Sequence, residues 1–223
     1  MQSIHPDDDP NATDAGVDSK PIILTAPLLR HTPLSTLYKL LTTRQLTSHI
    51  LTTTSLSLIA STNPTYNHTI ETSPTALSTA NHLDTRFPLS PLHGIPILLK
   101  DNIPTLNDGL NTTCGSLALV GAVPSEEAEV VGALRAAGAV VLGKGNMAEW
   151  AGFRSTSGCS GWSARGGQTT GLFWKGMKAS GSSGGCAVAV RLGCVGAAVG
   201  TEVCVLPTNF TIPGVMLLLS SLW

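Results

Sequence analysis

The chain has 223 residues, with 13 basic and 14 acidic side chains and a formal charge of −1. Charged residues make up 12%, against about 25% in an average globular domain. That balance excludes a basic field for nucleic acid, and a mean hydropathy of +0.22 excludes a chain disordered throughout.

Residues 1–30 read as a mobile polar leader, with Asp7-Asp8-Asp9 and Pro10. Met1–Asp18, polar and acidic, lacks the basic and apolar regions of a signal peptide. Leu37, Tyr38, Leu41, Leu46, Ile50 and Ile59 recur at helical spacing. They predict two short helices, or one broken helix, over Ser35–Thr62, stopped at Asn63-Pro64. Ser73-Pro74 is a helix start, followed by the stripe Ala76, Leu77, Ala80 and Leu83. Gly94–Asp101 is a short apolar run ending in two charges, read as a buried strand that delivers Lys100 into a site.

The next helix is expected over Ser125–Ala137. Ser125 would cap it, and Glu126, Glu127 and Glu129 would lie at its positive end. Val130, Ala133, Leu134 and Ala137 would face the core, and Gly138 would end it. Ala139–Leu142 reads as a buried strand, so the class is α/β with some parallel pairing. The Gly- and Ser-rich stretch 158–185 reads as a long functional loop, and Cys186–Val203 as a tightly packed helix then a strand. After Glu202 no charge occurs. The expected division is a leader 1–30, a domain portion 31–203 and an apolar tail 204–223. The texture (23 glycines, few charges) suits a piece of a larger α/β enzyme better than a small free-standing domain.

Cys114, Cys159, Cys186, Cys194 and Cys204 form no C-x-x-C pair, which fits structural thiols in a reducing, cytoplasmic setting. No apolar run reaches the roughly 18 residues of a membrane helix. The N-x-[ST] sequons at Asn11, Asn67, Asn111 and Asn209 reflect threonine-rich composition.

Three constellations could carry chemistry. Lys100 at a strand end can be desolvated, which favours its neutral amine and makes it a base. The plain alternative is a lysine snorkelling to the surface beside Asp101. Ser180-Gly181-Ser182-Ser183-Gly184-Gly185 could cradle phosphate, hold serines in strained backbone, or be a flexible linker. Arg165 and Gln168, amid the glycines of Gly161–Gln168, could bind a substrate or simply fold the loop. The six histidines form no Ser/His/Asp arrangement.

Taken together, the motifs resemble the amidase signature family. Leu92-His93-Gly94-Ile95-Pro96-Ile97-Leu98-Leu99-Lys100-Asp101-Asn102 is similar to its lysine motif. Gly143-Lys144-Gly145-Asn146-Met147-Ala148-Glu149 is similar to its G-K-x-N-M-x-E segment, and Gly161–Gln168 resembles the fungal branch. Ser180–Gly185 with Gly200-Thr201-Glu202 resembles the serine-rich signature. The resemblance runs from about Leu34 to Val203. It implies an amidase-signature fold: a mixed central sheet flanked by helices, incomplete at its C-terminal side. It also implies hydrolysis of carboxylic amide C–N bonds by a Ser-cisSer-Lys triad. Lys100 would be the base and Ser182 the bridging serine in a cis peptide, with small neighbours such as Gly181 and Gly184, and Gly181 and Ser183 would belong to the oxyanion loop. No metal and no cofactor are implied. The expected partner is a small-molecule amide, without nucleic acid or membrane.

The family pattern continues G-T-[DE]-x-G-G-S, ending on the nucleophile. Here Gly200-Thr201-Glu202-Val203-Cys204-Val205-Leu206 puts leucine at that position. Val203, Cys204 and Val205 would occupy the oxyanion turn, for which a β-branched side chain is ill suited. Leucine has no atom that attacks a carbonyl, so an inactive chain is expected. The alternatives are a catalytically dead binding or scaffold protein, and a relative of the A subunit of the tRNA-dependent amidotransferases. The non-family tail is also what translation past a missed splice junction or frameshift near Val203 would produce.

Overall fold

A computed structural model describes residues 29, 31–156, 158–205 and 211–219. Helices α1 (Leu34–Thr42) and α2 (Ser48–Tyr66) are followed by β1 (Thr69–Thr72), α3 (Ala76–Asp84) and β2 (Pro96–Lys100). Next come α4 (Glu129–Ala136), β3 (Val140–Gly145), the short pair β4 (Trp162–Ser163) and β5 (Gly167–Gln168), and α5 (Gly184–Leu192). Strands β6 (Ala197–Val205) and β7 (Thr211–Leu219) complete the set. The main sheet has the order β1-β3-β2-β6-β7. Strand β2 is parallel to both β3 and β6, while β1 and β7 are antiparallel to their neighbours.

Strand β2 is buried along its whole length, which is why its sequence is a continuous apolar run. Its alternation feeds two cores. Leu98 packs with Val140, Leu142 and Ala198 against α2, α3 and α5. Ile97 and Leu99 pack with Val141 and Val199 against α1, α2 and α4. By the same alternation Lys100 falls on the face of Leu98, toward α5. Strand β3 runs on past the predicted Leu142 through Gly143-Lys144-Gly145. A Cβ at Gly143 would lie 2.3 Å from the Glu71 carbonyl oxygen, so only glycine lets β1 pair this closely.

The predicted helix break is observed, and α1 and α2 are separate. The predicted stop at Asn63-Pro64 is not, since Pro64 lies inside α2 and the helix ends at Tyr66. The side chain of Asn63 ties the helix end to β1. It donates to the Thr69 carbonyl at 2.9 Å and accepts from the Thr69 N–H at 2.8 Å, while left-handed Asn67 closes the helix. At the other end the Asp84 carboxylate, from α3, accepts from the Ser48 and His49 N–H groups at 2.6 and 3.0 Å. That places negative charge on the α2 dipole.

Helix α4 starts at Glu129 rather than Ser125, with Ala128 at its N-cap. Glu127 is held elsewhere: its carboxylate accepts from the Leu106 N–H and from the Arg135 guanidinium. Ala128 donates to the Pro104 carbonyl at 3.0 Å. This tether keeps the chain extended until residue 129, and the buried face becomes Val131 and Leu134, with Ala133 exposed. Likewise α3 begins at Ala76, with the Ser73 hydroxyl accepting from the Thr75 N–H at 3.2 Å, and Leu77 is 37% exposed. The stretch read as loop 158–185 contains the β4–β5 pair and the start of α5. The tail expected to match nothing pairs with β6 over nine positions, from Ala197↔Leu219 to Val205↔Thr211. No helix among the described residues is long and apolar enough to cross a membrane.

Candidate active site

Strand β2 carries Lys100 to its C-terminal end and leaves it fully buried, so the surface alternative does not hold. Its Nζ donates to Ser182 Oγ at 2.7 Å, to Thr201 Oγ1 at 2.7 Å and to the Thr201 carbonyl at 3.3 Å. Asn102 Nδ2 donates to the same Thr201 hydroxyl at 3.0 Å, and Ser183 Oγ to the Thr201 carbonyl at 3.1 Å. Three elements therefore converge: the end of β2, the turn before α5 and the middle of β6. The residues 82 and 101 positions away in sequence from Lys100 are brought together by the β2–β6 pairing and by α5 packing over it. Thr201 and Asn102 lie within the motifs, yet sequence reasoning gives them no role. Their polar side chains beside buried strand ends were the available signal.

The turn of Ser182 is fixed from below. Its carbonyl accepts from the Ala148 N–H at 3.2 Å, and the Gly185 N–H donates to the Asn146 carbonyl at 3.0 Å. A Cβ on Gly185 would come within 2.4 Å of the Asn146 and His68 carbonyl oxygens. Glycine is required there so that the start of α5 can sit on the end of β3. The Asn146 side chain, fully buried, has five polar partners. The two Nδ2 hydrogens are shared among the Asn67 and Gly167 carbonyls and Thr169 Oγ1, and Oδ1 accepts from the Met147 N–H and Ser163 Oγ.

A buried charge network backs the lysine. Asp101 is fully buried, accepts from Thr113 Oγ1 and from the Gly115 N–H at 2.8 Å, and lies 3.7 Å from the Arg165 guanidinium. Burial pushes its carboxyl up, against the opposing pull of Thr113, Gly115, Arg165 and Lys144. Arg165 also pairs with Glu71 at 2.7 Å. Burial raises the Glu71 carboxyl, but the Arg165 and Asn111 hydrogen bonds and the Arg165 charge carry it below its ordinary value. Lys144 is fully buried and donates to the Ile103 carbonyl at 2.5 Å and Thr112 Oγ1 at 3.0 Å. Burial lowers its ammonium to about 8 despite the nearby carboxylates. Arg165 and Gln168 thus fold the loop, with Gln168 Nε2 bonded to the Ser160 and Thr169 carbonyls.

Two expectations at the site are corrected. The peptide bond before Ser182 is trans, as are all those among the described residues. A non-proline cis bond persists only where its surroundings over-determine it, and Gly181, exposed with φ of 73°, has nothing packed where a Cβ would lie. Val203, Cys204 and Val205 form no oxyanion turn. They continue β6, registered with Pro213, Ile212 and Thr211; Cys204 and Val205 stand at the two glycine positions, and a β-branched valine there favours an extended ladder. Leu206 lies outside the described residues.

A mixed sheet with flanking helices, and a buried lysine bonded to a serine at a helix start, define an amidase-signature α/β domain. Residues 51–204 match the family model for Amidase, and the chain belongs to that family. It is 45% identical over 167 residues to a "probable amidase" of Arabidopsis thaliana, covering 71% of this chain and 32% of that protein. It is 48% identical over 91 residues to the A subunit of the glutamyl-tRNA(Gln) amidotransferase of Methanococcoides burtonii, covering 40% of this chain and 19% of that one. Among solved structures, the native peptide amidase of Stenotrophomonas maltophilia superposes with a TM-score of 0.75 at 43% identity. That match covers 80% of this chain and 37% of the other. The chain spans a quarter to a third of the length of the first curated relatives it matches.

Proposed function

We propose that this chain holds the proton-relay half of an amide-hydrolysing site and has no turnover of its own. The observation that carries the reading is the 2.7 Å bond between the buried Lys100 amine and Ser182 Oγ, together with leucine at position 206. In the complete reaction a serine oxygen attacks the amide carbonyl. Its proton passes through the Ser182 hydroxyl to the Lys100 amine and on to the departing amine nitrogen as the C–N bond breaks. Water then cleaves the acyl ester. Thr201 and Asn102 hold the lysine end of that relay. Leu206 supplies no attacking atom, and loss of a nucleophile alone removes a factor of about 10⁴–10⁶.

The higher identity at comparable length, 45% over 167 residues to a probable amidase against 38% over 180 residues to an amidotransferase A subunit, favours a small-molecule amide over the amidotransferase reaction. A binding or scaffold role without catalysis is the second reading. It is favoured by the nine-position β6–β7 ladder, which gives β6 a partner on its outer side.

The test is the purified chain with aliphatic and aromatic amides, and with a serine-directed fluorophosphonate. No turnover and no labelling are expected. Stoichiometric labelling at Ser182 or Ser183 would overturn the reading, since another serine would then be the nucleophile.

A further inference from the structure

Between Trp150 and Thr201 the sequence contains no aspartate or glutamate, but five cations: Arg154, Arg165, Lys175, Lys178 and Arg191. Arg165 is used inside the fold. Lys175, Lys178 and Arg191 are exposed, and none of them forms an ion pair among the described residues. Two of them flank a hairpin tip. Gly171 N–H donates to the Met177 carbonyl at 2.7 Å and Met177 N–H to the Trp174 carbonyl at 3.2 Å, and Thr170 bridges Lys178. The tip presents Phe173 and Trp174, 76% and 65% exposed. Behind it, a groove of about 310 Å³ runs along α5, with Leu172, Met177 and Val188 in its walls, Arg191 at its side and no acidic residue lining it.

We propose that this hairpin is an interfacial docking element that seats the protein on an anionic lipid surface. Leaving two large aromatic rings in water is unfavourable, and their place at a hairpin tip suits insertion to headgroup depth. Trp and Phe with adjacent lysines is the composition that partitions there. The uncompensated cations then meet anionic headgroups, each strengthening binding about five-fold. The two rings stand largely in solvent, 76% and 65% exposed, which favours the lipid over an acidic polypeptide. The proposal uses neither the relay nor Leu206, so it stands or falls separately from the amidase reading.

The experiment is co-sedimentation of the full chain with phosphatidylcholine vesicles, with and without phosphatidylserine, alongside tryptophan emission. Expected are binding to the phosphatidylserine vesicles only, weakening as salt shortens the electrostatic range, and a blue shift on binding that Trp174→Phe removes while keeping the binding. Lys175→Gln with Lys178→Gln should weaken binding about 30-fold, and Phe173→Ser with Trp174→Ser should abolish it, with unchanged urea midpoints. Equal binding to both vesicles, or none to either, overturns the proposal. So does a serine-substituted tip that binds like the parent, or capture by polyglutamate without an emission shift on vesicles.

Discussion

Replacement of Asn146 tests whether a buried amide, rather than apolar packing, holds the loop segments under the site. Asn146→Ala removes five polar contacts at distances of 2.7–3.0 Å, two accepted by Oδ1 and three shared between the two Nδ2 hydrogens. Three partners, the Asn67 carbonyl, Thr169 Oγ1 and Ser163 Oγ, keep another bond. The Asn67 carbonyl still accepts from Thr169 Oγ1, and Ser163 Oγ still accepts from the Gly166 N–H. At about 1 kcal/mol per lost bond, and more for groups left unpaired in the interior, the cost is about 4 kcal/mol. That is a large part of a typical stability of about 5–15 kcal/mol. Asn146→Asp has nearly the same shape, but turns an oxygen toward the Asn67 and Gly167 carbonyls. It should be at least as damaging near neutral pH and recover partly on acidification, when a protonated carboxyl can donate again. Urea unfolding followed by circular dichroism gives both numbers. An alanine variant within about 1 kcal/mol of the parent, or an aspartate variant as stable as the parent, would refute the reasoning.

Two further outcomes concern the same core. His68 is fully buried, and burial lowers its imidazole from 6.5 to about 4. The unfolded chain therefore binds the extra proton first. Stability should be complete above about pH 6.5 and fall by about 3 kcal/mol on acidification to pH 4. A His68→Gln variant that kept the whole slope would assign it to other groups. Thr52 is fully buried with no partner for its hydroxyl, so Thr52→Val, nearly isosteric, should raise stability by about 1–2 kcal/mol in thermal melts. A lower melting temperature would mean that the hydroxyl is engaged.

The sequence by itself determined the class of fold, the buried strand at 96–100 and the pairing of Lys100 with Ser182. It could do so because each is a local pattern: an apolar run ending in a lysine, and a serine turn opening a helix of small residues. It also marked the departure at residues 204–206, where two glycines and a serine are replaced by Cys204, Val205 and Leu206. Helix boundaries were less legible. Asn63 ties the end of α2 to Thr69, beyond Pro64, and Glu127 delays α4 by bonding to Leu106 and Arg135. Such tethers join segments that no period in the sequence connects. Thr201 as the lysine's second anchor, and Arg165 as the counterion of Glu71 and Asp101, were likewise decided only by tertiary structure. A buried charge takes whichever partner folding brings within hydrogen-bond reach, and for Lys100 that partner comes 101 positions later, across a parallel strand pairing that only the closed sheet creates.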